Sequence, residues 1–232
     1  MIDIKNIENI FEKYVSNYNP SNERIKLKID HIKRVAKNSK IIAENLNLTE
    51  NQINLAIAIG FFHDLGRFEQ VRIANTFSDK ESKIDHGVKS CEVLFNNNFI
   101  REFIEDNKYD EIIKKSILNH NKISIKANLS SEEELFSKII RDADKLDIFY
   151  TISKDEYSME SIFWYKNFDD EKISDKILKT LQNNSPVNYS DIQNNADVIA
   201  IFYGYIYDLY FPITKKILYE NKYLEIFTRK SY

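Results

Sequence analysis

The sequence predicts an all-helical protein, and three observations lead there. Its 232 residues hold 4 Gly and 3 Pro, too few turn formers for a chain of many short strands. Apolar residues recur at steps of three and four, the spacing of one helix face rather than of a strand. Helix-start pairs, Thr49 with Gln52 and Ser131 with Glu134, stand ahead of such stretches.

The opening segment, Met1 to Tyr14, mixes charges with isolated Ile and Phe and lacks the continuous apolar core of a leader peptide. From Arg24 to Leu46 an amphipathic helix is expected, with Ile25, Ile29, Ile32, Val35, Ala36, Ser39, Ile42 and Ala43 on one stripe and His31 beside it. The Thr49–Gln52 pair should start a helix through Ile53, Ala56, Ile57, Gly60 and Phe61 to the adjacent His63 and Asp64. Gly66 is expected to end that helix in a left-handed turn. The polar segment from Arg67 to Lys83 reads as an irregular loop, and Asp85 as the cap of a helix containing His86, Val88, Cys91 and Phe95.

A helix around Asp106 to Asn119 turns Ile112, Ile113, Ser116 and Ile117 inward and delivers His120 at its end. Ser131 with Glu134 then opens a helix whose stripe, Leu135, Phe136, Ile139, Ile140 and Ala143, places Asp144 on an inward face. From about Tyr157 the composition turns aromatic, with Trp164 and many Tyr and Phe. One helix is expected across Ala196 to Phe211, carrying Tyr203, Tyr205, Tyr207 and Tyr210 and broken or kinked by Pro212. The expected organisation is a helical domain over 1–155, with its core over 25–150, and an aromatic-rich helical extension over 156–232. The extension would pack on that domain or on a second copy of the chain, so a homo-oligomer is compatible with the sequence.

Composition limits the function classes. Lys plus Arg is 33 against 36 for Asp plus Glu, a net charge of -3, which argues against broad nucleic-acid binding. One cysteine, Cys91, cannot close an internal disulfide, and the longest apolar run, Leu55 to Phe62, is too short to cross a bilayer. A soluble, cytoplasmic protein is expected.

All 4 histidines fall in one series, His31, His63 next to Asp64, His86 and His120, followed by an aspartate cluster holding Asp144. Imidazole and carboxylate are the ligand types of hydrolytic metal sites. His63 and Asp64 at a helix end point about 100° apart, which suits convergence on neighbouring ions, and a carboxylate can bridge two of them. His86 and His120 either ligate a second ion or, in a one-metal site, contact substrate phosphate or shuttle protons. Asp142 and Asp147 are rivals to Asp144 as the last ligand.

The segments HIKRVAKNS, FFHDLGRFEQ, IDHGV, ILNHNK and IIRDADKLDIF, spread over about Ile25 to Phe149, resemble the HD superfamily of metal-dependent phosphohydrolases. The resemblance implies an all-helical HD-domain bundle. It also implies His31, His63, Asp64 and Asp144 as ligands of the principal ion, with His86 and His120 as the mark of binuclear members. One or two divalent ions (Mn, Fe, Ni, Co, Zn or Mg) are the implied cofactors, and their bound hydroxide the implied nucleophile. The substrate would be a nucleotide-like or other small phosphorylated metabolite. The chain lacks both the G-Y-P signature of the cyclic-dinucleotide branch and the H-D-x-x-E-D segment of the branch acting on guanosine alarmones.

Asp64 and Lys145 are expected to serve catalysis, and Arg67, Lys122 and Lys145 to meet substrate phosphate. Arg34, one turn after His31, would either orient Asp64 or Asp144 or form a surface ion pair. Two other classes share these ligands: a non-catalytic metal- and nucleotide-binding regulatory module, and a di-iron oxygenase.

Overall fold

The computed structural model describes residues 2–154 and 172–230, and among them it contains helices and no strand. The chain divides into two compact units, Met1–Asp147 and Ile148–Tyr232. The predicted 155/156 boundary and Trp164 lie outside the described residues. No helix among the described residues is long and apolar enough to cross a membrane.

In the first unit, the opening segment with its isolated Ile and Phe forms α1 (Ile4–Val15). Asp3 caps it by accepting from the Asn6 N–H, and Ile7, Phe11 and Val15, four apart, are its buried face. Phe11 stacks on Phe61, ring centroids 5.3 Å apart. Helix α2 (Glu23–Asn45) runs as expected and buries its stripe together with His31 and Leu27, except Ile29, which is half-buried. It packs along α3 (Glu50–Phe62), which opens with the Gln52 side chain accepting from the Thr49 N–H at 3.1 Å. The two helices approach closely where Gly60 faces Ala36: a Cβ on Gly60 would lie 2.6 Å from the Ala36 Cα.

The segment expected to be a loop is instead α4 (Leu65–Ala74) followed by the single turn α5 (Asp79–Ser82). The apolar pattern was broken by Gln70, which is fully buried for its hydrogen bonds: its Nε2 donates to Asp79 Oδ1, Ser82 Oγ and the Ile84 carbonyl at 2.8, 2.9 and 3.2 Å. Gly66 does not terminate α3 in a left-handed turn, since no glycine has positive φ. It lies in α4, where a Cβ would come within 2.5 Å of the Ser90 N and 2.7 Å of the His86 O. Glycine there lets α4 lie against α6 (His86–Phe95), and the Gly66 N–H donates to Ser90 Oγ at 2.8 Å.

Asp85 caps α6 as expected, accepting from the Gly87 and Val88 N–H groups at 3.0 and 3.2 Å. After the single turn α7 (Ile100–Phe103), α8 (Asp110–His120) carries Ile113, Ser116 and Ile117 inward. The long helix α9 (Ser131–Ser153) starts one residue earlier in its capping than predicted. Ser130 and Glu133 make the reciprocal pair, with bonds of 2.8 and 3.2 Å, while Glu134 pairs with Lys138. Arg141 of α9 is 1% exposed and ties down the end of α8. It donates to the carbonyls of Asn119 and Lys122 at 2.6 Å each, a cation placed on the negative end of a helix.

The second unit contains α10 (Asp175–Gln182), α11 (Asn195–Gly204), α12 (Pro212–Glu220) and α13 (Tyr223–Lys230). Ile177, Val187, Ala200 and Ile201 form a small core. The single helix expected over Ala196 to Phe211 ends at Gly204 and continues only as a 3-10 turn, Tyr205–Asp208. Pro212 begins the next helix rather than kinking this one, because its missing N–H costs nothing in a first turn.

Two outcomes follow for stability. Gly66→Ala should cost about 1–3 kcal/mol by overpacking against backbone atoms, more than the helix propensity of about 1 kcal/mol it gains, read as a lower denaturation midpoint at unchanged slope. Burial pushes the Asp85 carboxyl up, but hydrogen bonds from Lys122, Asn121 and the Val88 N–H outweigh it and hold it at about 2. A folded value below the unfolded one means that this contribution is present above about pH 4 and is lost as pH falls through about 2. Asp85→Asn should flatten the unfolding midpoint's dependence on pH across that window.

Candidate metal centre

Four helices and one break deliver the six predicted ligands. His31 comes from the middle of α2, His86 and His120 from the start of α6 and the end of α8, and Asp144 from α9. His63 ends α3 and Asp64 breaks the helical path, with φ -113° and ψ 16°, before α4 begins. Asp64 stands at the cap position of α4 but makes no side-chain capping bond. Its carboxylate points into the histidine cluster instead.

The two oxygens of Asp64 face different histidine pairs. Oδ2 lies 3.5 Å from His31 Nε2 and 3.6 Å from His63 Nε2, while Oδ1 lies 3.7 Å from His86 Nε2 and 3.5 Å from His120 Nε2. Asp144 Oδ1 joins the first pair, 3.2 Å from His31 Nε2 and 3.8 Å from His63 Nε2. His86 Nε2 and His120 Nε2 are 3.1 Å apart. Three donor groups, His31–His63–Asp64, His63–His120–Asp144 and Asp64–His86–His120, each have their ligand atoms within 4.8 Å of one another. The histidines and Asp64 are all buried.

Each imidazole is oriented through its other nitrogen. His63 Nδ1 meets the Gly60 carbonyl at 2.8 Å and His120 Nδ1 the Ile117 carbonyl at 2.6 Å. His31 Nδ1 meets Asp147 Oδ2 at 2.7 Å, and His86 Nδ1 meets Asp79 Oδ2 at 2.7 Å. An oxygen acceptor at Nδ1 assigns the proton to that nitrogen and the lone pair to Nε2. All four Nε2 atoms then point inward, the arrangement by which a second layer fixes metal-binding histidines.

The inward atoms lack partners of their own: His31 Nε2, His63 Nε2 and Asp64 Oδ1 are buried without a hydrogen bond among the described residues. Burial keeps His63 neutral, lowering it to about 3, and burial with the Arg67 charge lowers His86 to about 4. For His31, burial and Lys28 push down, but Asp144, Asp147 and Asp64 outweigh them and raise it to about 9. Asp64 and Asp144 also stay ionised despite burial: the Lys28 ammonium above all holds the first well below the usual carboxylate range, and His31 the second.

With a proton on each Nδ1, the Nε2 atoms of His86 and His120 face each other at 3.1 Å, with the Arg67 guanidinium 3.2 Å from His86 Nε2. Donor separations of 3.1 to 3.8 Å suit side chains sharing an ion at about 2.0–2.2 Å from each. The residues present therefore fit divalent cations.

The other expected residues fall on both sides of this cluster. Arg67 is at it: Nε lies 3.6 Å from Asp64 Oδ1 and Nη2 3.2 Å from His86 Nε2, while Nη1 is held by Gln70, the Phe77 carbonyl and Asp79 at 2.6, 2.5 and 3.1 Å. Lys145 is buried on α9 beside Asp144. Lys122 donates instead to Asp85, the cap of α6. Arg34 does not hold Asp64 or Asp144; its Nε and Nη2 hold Asp147 at 2.6 and 3.1 Å. Asp147 lies on the far nitrogen of His31, which leaves Asp144 as the aspartate of that trio in the convergent groups.

Sequence reasoning missed Asp79 and Lys28 and gave Asp147 a lesser part. Lys28 Nζ is 2.6 Å from Asp64 Oδ2. Its signal was present, since Lys28 sits one turn before His31 and shares its helix face. Asp147 carried the same signal relative to Asp144. Asp79 carried none, lying in a turn whose position depends on Gln70.

A model of the HD domain family matches residues 29–148, just over half of the chain. No curated protein and no solved structure matches it. The matched stretch begins just before His31 and ends just after Asp147, enclosing every histidine and the two aspartates of the convergent groups, and the chain belongs to the HD domain family.

Proposed function

We propose that the protein is a metal-dependent phosphohydrolase that cleaves a phosphoester bond in a nucleotide-like or other small phosphorylated metabolite. The observation that carries the reading is Asp64, with one oxygen turned to each histidine pair. His31, His63, Asp64 and Asp144 would hold one divalent ion and His86, His120 and Asp64 a second, drawn from Mn, Fe, Ni, Co, Zn or Mg. Such ions supply Lewis acidity and acidify coordinated water.

The reaction adds water across the bond: the water oxygen joins phosphorus, the P–O bond to the leaving group breaks, and the leaving oxygen takes a proton. Asp64 fixes the spacing between the two halves of the donor set. Arg67, held on three sides, keeps a guanidinium at the Asp64 Oδ1 side, where it can bind a phosphoryl oxygen. Lys145, buried and next to Asp144 in sequence, would serve as a second cation for the same task. The acceptors at each Nδ1 keep the histidines aimed, which lowers the cost of assembling the site.

The direct test is a screen of phosphomonoesters, phosphodiesters and nucleotides with each of these cations added. Asp64→Ala should lose metal and turnover together, activity falling at least about 100-fold; a variant with full metal content and full activity overturns the reading. An added cation at about 100 times its Kd should raise wild-type stability by about 2.7 kcal/mol, a rise that Asp64→Ala should lack in thermal unfolding. Asp147→Asn, which leaves every proposed ligand in place, should weaken metal binding about 10- to 100-fold, measured by calorimetry.

A further inference from the structure

Lys28 and Arg67 both face the donor set, but they are held very differently. Arg67 is fixed by the side chains of Gln70 and Asp79 and by the Phe77 carbonyl. Among the described residues, Lys28 has a single hydrogen-bond acceptor, Asp64 Oδ2, at 2.6 Å. Its ammonium also lies 5.1 Å from the centre of the Phe77 ring, a face that a cation can rest on without a fixed partner. The Lys28 side chain is 12% exposed against 3% for Asp64, so it approaches the carboxylate from the more open side.

Asp64 Oδ2 is the same oxygen that faces His31 and His63. An ammonium and a divalent cation cannot both sit against it without strong repulsion at that range. When a cation takes the oxygen, Lys28 loses its acceptor, and its flexible stem leaves the charge beside the site in need of a new one. A tetrahedral oxyanion bridging cation and ammonium supplies it.

Resting on the metal-centre reading above, we propose that Lys28 is a specificity-determining residue that couples the two ligands of the centre: it covers Asp64 when no cation is bound and, once displaced, captures the substrate's phosphoryl oxygen. Binding of cation and anion is then reciprocal, each strengthening the other through one side chain. Arg67, whose other acceptors persist, contributes anion affinity without this exchange.

The test uses the full chain, with manganese(II) as the cation and inorganic phosphate as the anion, titrated separately and together by calorimetry. Wild-type protein should bind manganese about tenfold more tightly when phosphate is saturating. Lys28→Met should bind manganese more tightly than wild type without phosphate, because its competitor is gone, and should show a clearly smaller phosphate enhancement. Lys28→Arg should keep the enhancement, and Lys28→Gln serves in place of the methionine variant should that variant fail to fold by circular dichroism. A wild type that loads manganese while Lys28→Met matches it in both titrations overturns this proposal alone. A wild type that takes up no manganese overturns the metal-centre reading with it.

Discussion

The ionised Asp64 carboxylate, buried at the break between α3 and α4, is the constraint around which the first unit is arranged. An isolated carboxylate out of water is too costly to keep charged. Here Lys28, two histidine pairs and Arg67 surround it on every oxygen. The same arrangement imposes demands further out. Histidines kept aimed inward need acceptors behind them, and those acceptors are Gly60 and Ile117 carbonyls, Asp147 and Asp79. Asp147 in turn requires Arg34, and Asp79 requires Gln70 and Arg67. Each layer exists because the layer inside it carries charge or lone pairs that water does not reach.

The backbone serves that centre through close approaches. Gly60 lets α3 lie against α2, so that His63 comes to His31, and Gly66 lets α4 lie against α6, so that Asp64 and Arg67 come to His86. Arg141 does the equivalent work for α8. By gripping the carbonyls of Asn119 and Lys122, on either side of His120, it ties the end of α8 to the helix that holds Asp144. A guanidinium this deeply buried is stable because it answers several carbonyls at once.

Much of this was legible in the residues. The helical class, the α2 stripe, the Asp85 cap and the convergence of the histidines follow from periodicity and from the order of metal-ligand types. What the sequence hid has a common physical cause: polar groups buried for their hydrogen bonds look like surface. Gln70 interrupts an apolar pattern and made α4 read as a loop, although its burial is what anchors the following turn. Ser130 and Ser131 are equally good caps in composition, and only geometry separates them. Asp142, Asp144 and Asp147 offer the same chemistry within six residues of sequence; the rotation of α9 decides that Asp144 meets His31 Nε2 and Asp147 its Nδ1.

The donors lie at unequal depth, and that sets a direction of approach. His63 is 0% exposed and His120 3%, whereas the Lys28 and Asp144 side chains are 12% and 15% exposed. Whatever arrives from solution therefore meets Lys28 and Asp144 first and the deep imidazoles last.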